Sequence, residues 1–172
     1  MFVDTSLLLS SAQAITTSAA STNLYDVTGA GSGNAPSMTF GITGNDIGAD
    51  IGNADGSSRP TAYFVVTTNG TGTGTVTFAV EAAPDNGSNA PGTYIRLATS
   101  KAWVGTTLDV GNVITLPIPS YAQVAPGMGL PRFYRFYYDQ TGDGAVSVTG
   151  YILIDPQQGY VSTQIGNNFL AV

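Results

Sequence analysis

Carboxylates are the side chains left to carry acid–base or metal chemistry here, because the 172-residue chain has no histidine and no cysteine. Nucleophilic catalysis by a Ser–His or Cys–His pair is thereby excluded, as are thiolate metal sites and a disulfide framework. Three carboxylate settings are left. The run Asp139-Gln140-Thr141-Gly142-Asp143-Gly144 resembles the start of a calcium loop, with oxygen ligands at alternate positions. The acidic residue that closes such a loop is missing, since Gly150 stands in its place. A hairpin turn between two strong strand signals is the expected reading, because Asp and Gly both serve turns. Asp46, Asp50 and Asp55 lie in a Gly/Asn-rich stretch. They could offer a hard cation a loose oxygen cage or form solvated Asx-turns, and composition favours the turns. Glu81, the single glutamate, could join an aspartate in a glycosidase-like pair. It alternates, however, against Val76, Phe78 and Val80 and so belongs on the opposite, solvated face of a strand. The expectation is a chain with no catalytic activity, no metal and no cofactor.

These side chains must be held by strands. Residues 62–68 form a β-branched and aromatic run ending in Asn69-Gly70, a turn signal, and 75–81 alternate cleanly after the glycine-rich 70–74. Further strands are expected over 93–98, 102–104, 112–118, 132–139 and 145–154. Short strands separated by Gly/Pro turns are the pattern of a β-sandwich or jelly roll. Residues 1–58 are different. They are rich in Ser, Ala, Thr, Gly and Asn, with too few apolar side chains for a core of their own. They read as an extended arm and loop; the best helical signal, over 7–20, is too dense in Ser, Thr and β-branched residues to hold a helix. The expected organisation is one domain over 1–172: arm and loop at 1–58, sandwich strands at 59–155, and a tail at 156–172.

Charge narrows the function classes. Only 9% of residues are charged and the net charge is −6, against roughly 25% charged residues in ordinary domains. The five basic residues, Arg59, Arg96, Lys101, Arg132 and Arg135, form no phosphate-neutralising cluster, so nucleic acid is not an expected partner. No apolar run approaches membrane-spanning length, and the first residues lack the basic and apolar regions of a secretory signal. The site of action is therefore expected in the cytoplasm in which the chain is made or in a particle assembled there. Asn69-Gly70-Thr71 and Asn86-Gly87-Ser88 match glycosylation sequons, and in that setting they are expected to be turns. A charge-poor surface kept wet by Ser, Thr, Gly and Asn suits a protein packed into a large assembly.

The segment Arg132-Phe133-Tyr134-Arg135-Phe136-Tyr137-Tyr138 is aromatic on both faces of a strand. In a two-layer sandwich one face meets core. The other meets a partner or the arm, since Tyr and Arg are enriched at interfaces, or else it is covered within the chain.

The run Ser10-Ser11-Ala12-Gln13-Ala14-Ile15-Thr16-Thr17-Ser18-Ala19-Ala20-Ser21-Thr22-Asn23, followed by Asp26, resembles the opening of the jelly-roll capsid cement (decoration) proteins of Bordetella-type short-tailed phages. Leu116-Pro117-Ile118-Pro119 is similar to a strand of that family ending before a loop. Pro131-Arg132-Phe133-Tyr134-Arg135-Phe136-Tyr137-Tyr138 is similar to its Arg-aromatic-x-Arg strand, and a β-branched last strand follows over 145–154. The chain departs from the family in a longer insert at 41–58 and in the tail past residue 156. The resemblance implies a jelly-roll-like sandwich that binds the outside of the major capsid protein shell, at symmetry axes, as a homo-oligomer. A dimer or trimer is expected. It implies neither catalysis nor a cofactor. Contacts are expected from the arm through Gln13, Ile15, Leu24 and Tyr25, and from the aromatic strand through Arg132, Tyr134, Arg135, Phe136 and Tyr138. The alternative is a carbohydrate- or receptor-binding sandwich of a phage, a fibre or decoration lectin, with Trp103 and Tyr94 stacking on sugar rings.

Overall fold

The computed structural model describes residues 7–26, 60–119 and 131–153. Among these residues the regular elements are ten strands and one 3₁₀ turn at Gly105–Thr107. The strands are β1 (Leu8–Ile15), β2 (Ala19–Ala20), β3 (Tyr25–Asp26), β4 (Thr61–Thr71), β5 (Thr75–Ala83), β6 (Ile95–Thr99), β7 (Trp103–Val104), β8 (Val113–Pro117), β9 (Phe133–Thr141) and β10 (Ala145–Leu153). All seven strands expected between residues 62 and 154 are present, with ends shifted by at most three residues. Asn69-Gly70 lies inside β4 rather than in the turn, which falls on the next three residues.

Two antiparallel sheets result. One has the order β1-β10-β4-β8, and the other β2-β9-β5-β6, with β3 also on β9 and β7 also on β5. The chain passes from one sheet to the other between β1 and β2, β3 and β4, β4 and β5, β7 and β8, β8 and β9, and β9 and β10. Sheets wound around each other in this way form a jelly-roll sandwich. Period-two alternation then sends one row of each strand inward. Phe64 of the first sheet meets Phe78, Phe136 and Tyr138 of the second at centroid distances of 5.1, 4.5 and 6.1 Å. All four rings are fully buried, and each contributes about 2–3 kcal/mol by leaving water. The space for them is made by Gly150, whose position on β10 faces Phe136 and Tyr138; a Cβ there would come within 2.8 Å of the Phe136 ring.

The expected arm requires correction over residues 7–26. Strand β1 pairs with β10 from Leu8↔Tyr151 to Ile15↔Val146, while β2 and β3 pair with β9. This segment is extended, as expected, but it belongs to both sheets. Leu9 and Ile15 are fully buried in the shared core, so the few apolar residues of the segment serve a core built elsewhere. As an edge strand β1 is blunted by two register shifts and by Ala12 at φ 46°, irregularities that discourage edge-to-edge pairing. The remainder of the arm and loop, and the tail at 156–172, lie outside the described residues.

Candidate functional site

The densest chemistry lies on the outward face of the second sheet. Register places Glu81 of β5 opposite Arg135 of β9 on one side and Arg96 of β6 on the other. Arg135 Nε and Nη2 donate to Glu81 Oε2 at 2.9 and 2.8 Å, and Arg96 Nη2 donates to Oε1 at 3.1 Å. Arg96 Nη1 also bonds Asp139 of β9, and that bond is the main reason its guanidinium titrates above its ordinary value. Aromatic rings cover the cations. The Arg135 guanidinium carbon lies 3.6 Å from the Tyr94 centroid and 5.5 Å from that of Tyr137, and Arg96 lies 5.3 Å from Tyr137, within cation–π range. Burial is the largest effect on the Tyr94 hydroxyl and raises its pKa.

Arg132 makes a second knot beside the first. Its Nε and Nη2 donate to Asp26 Oδ1 and Oδ2 at 2.9 and 3.0 Å, a two-pronged pair that fixes orientation as well as charge. Asp26 is fully buried. Arg132 Nη1 reaches Asp85, and it donates to Asn89 Oδ1 at 2.9 Å. Asp85 and Asn89 stand on the β5–β6 connection, which is closed on itself by an Asp85↔Pro91 bridge and by Gly92 N donating to Pro84 O at 2.8 Å. The connection and the Arg132 guanidinium, 4.9 Å from the Phe133 centroid, lie over the outward side of β9. Phe133 is fully buried there.

At one end of the sandwich the β4–β5 and β9–β10 turns, each of which carries the chain from one sheet to the other, interlock. Asp143 Oδ1 accepts the amides of Thr73 and Gly74 at 2.9 and 2.7 Å, and these bonds, Gly74's first, lower its pKa. The stretch that resembled a calcium loop is thus the β9–β10 turn, which crosses from one sheet to the other instead of closing the expected hairpin. Its Asp143 is engaged by amides and its Asp139 by an arginine. Among the described residues no group of three or more potential metal ligands converges. Asp46, Asp50, Asp55 and Arg59 lie outside the described residues.

Most of the expected contact residues are interior. Ile15, Tyr25, Phe136 and Tyr138 are fully buried and Tyr134 nearly so, because the aromatic row 134–136–138 is the row that faces the core. None of these five offers a side chain to a partner. Gln13 is a staple within the chain: its Nε2 donates to Ala20 O at 2.8 Å, and its Oε1 accepts from Ser10 and Thr22. Leu24 is half-buried. Arg132 and Arg135 keep some exposure, with their charges committed as above. Glu81, expected on a solvated face, is on the outward face but only 7% exposed. The cross-strand arginines cover it, and sequence alternation alone does not report them. Tyr94 has one ring face under Arg135, and Lys101 Nζ sits 4.0 Å from the Trp103 centroid. The roles of Asp26, Asp85, Tyr94 and Arg96 were missed in the sequence. The available signal was scarcity: so few charges, with arginines and acids placed on strands, must find each other. The chain matches no protein-family model and no curated protein.

Proposed function

We propose that this chain is a structural virion protein, a cement or decoration protein that binds the exterior of a bacteriophage capsid and bridges neighbouring capsomers. The observation that carries the reading is the internal use of charge. Arg96, Arg132 and Arg135 all close on carboxylates of the same chain, and Lys101 lies on Trp103. Apart from a few exposed charges such as Lys101, Asp109 and Asp143, the described surface is rich in Ser, Thr, Gly and Asn, which pack against like neighbours with little long-range repulsion. A ligand site built for catalysis or for anions would instead hold uncommitted charge at a cleft. The partners in this reading are the major capsid protein and further copies of the chain, as a dimer or trimer, on particles assembled in the host cytoplasm. Bridging stabilises by linkage: separating capsomers must also break the cement contacts.

Since the interior residues named above cannot make those contacts, the proposal assigns them to exposed positions. Val104 and Val110 are the exposed large apolar side chains of the described residues, at 38% and 58%. Both flank the end with the interlocked turns, where Val110 N donates to Asn69 Oδ1 and Gly105 N to Gly74 O. The test is the copy number of the chain in purified particles, measured by quantitative mass spectrometry against the major shell protein. A ratio near one, or a simple fraction of it, is expected. A handful of copies per particle, or none, overturns the reading.

A further inference from the structure

We infer that Asn86-Gly87 is a site of spontaneous backbone rearrangement, a slow covalent modification for which the fold selects this pair and spares its twin. The chain contains two Asn-Gly pairs, Asn69-Gly70 and Asn86-Gly87, each followed by a hydroxyl residue. In such a pair the backbone nitrogen of glycine attacks the side-chain carbonyl carbon of asparagine, unhindered by a Cβ. The glycine N–H gives up its proton, a C–N bond forms, and the side-chain amide leaves as ammonia. The product is a five-membered succinimide. Water then adds to either of its carbonyls, giving aspartate or its β-linked isomer.

The local sequence makes the two pairs equivalent, and the structure separates them. Gly70 N donates to Leu108 O at 2.7 Å, and Asn69 Oδ1 accepts from Val110 N at 2.8 Å. Gly70 is also wedged so tightly that a Cβ would lie 2.1 Å from Gly105 O. Its nitrogen cannot swing toward the Asn69 side chain without opening the end of β4. Asn86 and Gly87 are exposed on the β5–β6 connection, and nothing lies within 4 Å of the Cβ position of Gly87, which sits at φ +88°. Gly87 N donates to Asp85 Oδ1 at 2.7 Å, an acceptor two residues back in the same connection. Asp143-Gly144, the other pair of this chemistry among the described residues, has its carboxylate held by the Thr73 and Gly74 amides, and an ionised carboxylate resists attack.

The modification has a structural consequence. It places a carboxylate next to Asp85, and the β-linked form inserts a methylene into the backbone. That breaks the turn in which Ser88 N donates to Asn86 Oδ1 at 2.8 Å, and it displaces Asn89 from Arg132. Ageing would loosen the cover over Phe133 and make the surface more acidic.

The experiment incubates the full folded chain at mildly alkaline pH and follows both peptides by mass spectrometry, with enzymatic methyl labelling to detect the β-linked product. The same chain held in denaturant serves as reference. Both pairs should convert at similar rates when unfolded. In the folded protein Asn86 should convert at least about tenfold faster than Asn69, the protection expected of a strand that must open locally before reaction. A smaller ratio in the folded protein, or no conversion at Asn86, overturns the inference.

Discussion

Glu81 and Arg135 stand directly opposite each other on β5 and β9, and both prongs of the arginine close on one carboxylate oxygen, Nε at 2.9 Å and Nη2 at 2.8 Å. Because Arg96 takes the other oxygen from the opposite strand, one carboxylate ties three strands together across the outward face of the sheet. Glu81 is almost buried, whereas the two arginines keep 37% and 26% of their side chains in water.

That asymmetry sets the cost of breaking the knot. Replacing Glu81 with Gln leaves two arginines facing each other across a neutral residue. Full burial of unpaired charge would cost about 3–5 kcal/mol, but water reaches both guanidinium groups, so the expected loss is about 1–3 kcal/mol. Urea denaturation measures it. Arg135→Met combined with Glu81→Leu should cost less than the two single changes added together, since the double variant leaves only Arg96 without its Glu81 bond, and Arg96 still has Asp139.

A second buried network runs from Tyr138 to β1. Ser10 Oγ donates to Gln13 Oε1 at 2.8 Å, so at the 2.7 Å contact between the two hydroxyls Tyr138 is the donor and Ser10 the acceptor. Burial pushes the Tyr138 phenol far above the ordinary tyrosine range. Tyr138→Phe removes a donor whose partner retains Gln13, at a cost of about 1 kcal/mol. Ser10→Ala strands the phenol, at a cost of about 1–3 kcal/mol. Equilibrium unfolding should rank Ser10→Ala as the more damaging. The reverse order would mean that the phenol finds another partner.

The contrast between what sequence did and did not disclose has a physical cause. Strands such as Thr75–Ala83 announce themselves because their own alternation is strong and turn residues, Gly74 before and Pro84 after, bound them. Strand β1 does not, because LLSSAQAI is an edge strand. It earns its place through β10, to which Ile15 pairs at Val146, and no local window contains that partner. The site was half legible for the same reason. Arg132 and Arg135 stood out as unusual residues on an aromatic strand, but that strand alone left open whether a partner, the arm or another part of the chain covers its second face. What covers it is Asp26, Glu81 and the 84–94 connection, each brought in by register or by a loop folding back.

Acid should weaken the interlocked turns through Asp143. Its folded-state pKa lies below the ordinary value, because the Gly74 and Thr73 amides favour the ionised form. Such a group stabilises the fold at pH above the usual carboxylate range, and its contribution is lost as pH falls through that range to the lowered folded value. Asp143→Asn keeps an acceptor oxygen but removes the charge. Thermal midpoints measured across the acidic range should therefore fall less steeply with acidification in the variant than in the parent. Parallel curves would show that the amide bonds do not discriminate between the protonation states.

Gly150→Ala should be destabilising although alanine is ordinarily the better residue inside a strand. Glycine in a strand interior usually costs entropy and forgoes packing, so the substitution would help at an open position. At this one the new methyl would meet the Phe136 ring at 2.8 and 2.9 Å and the Tyr138 hydroxyl at 3.1 Å. Phe136 is already 4.5 Å from Phe64 by centroid, and interiors packed this closely absorb an added carbon only by forcing side chains off their rotamers, at about 1–3 kcal/mol. The expected result is a loss of that size in urea denaturation, recovered in part by adding Phe136→Leu, which narrows the ring's end of the contact. If Gly150→Ala were neutral or stabilising, Phe136 would have room to retreat, and the tight seating of these rings around Phe64 would not be what fixes the spacing of the two sheets.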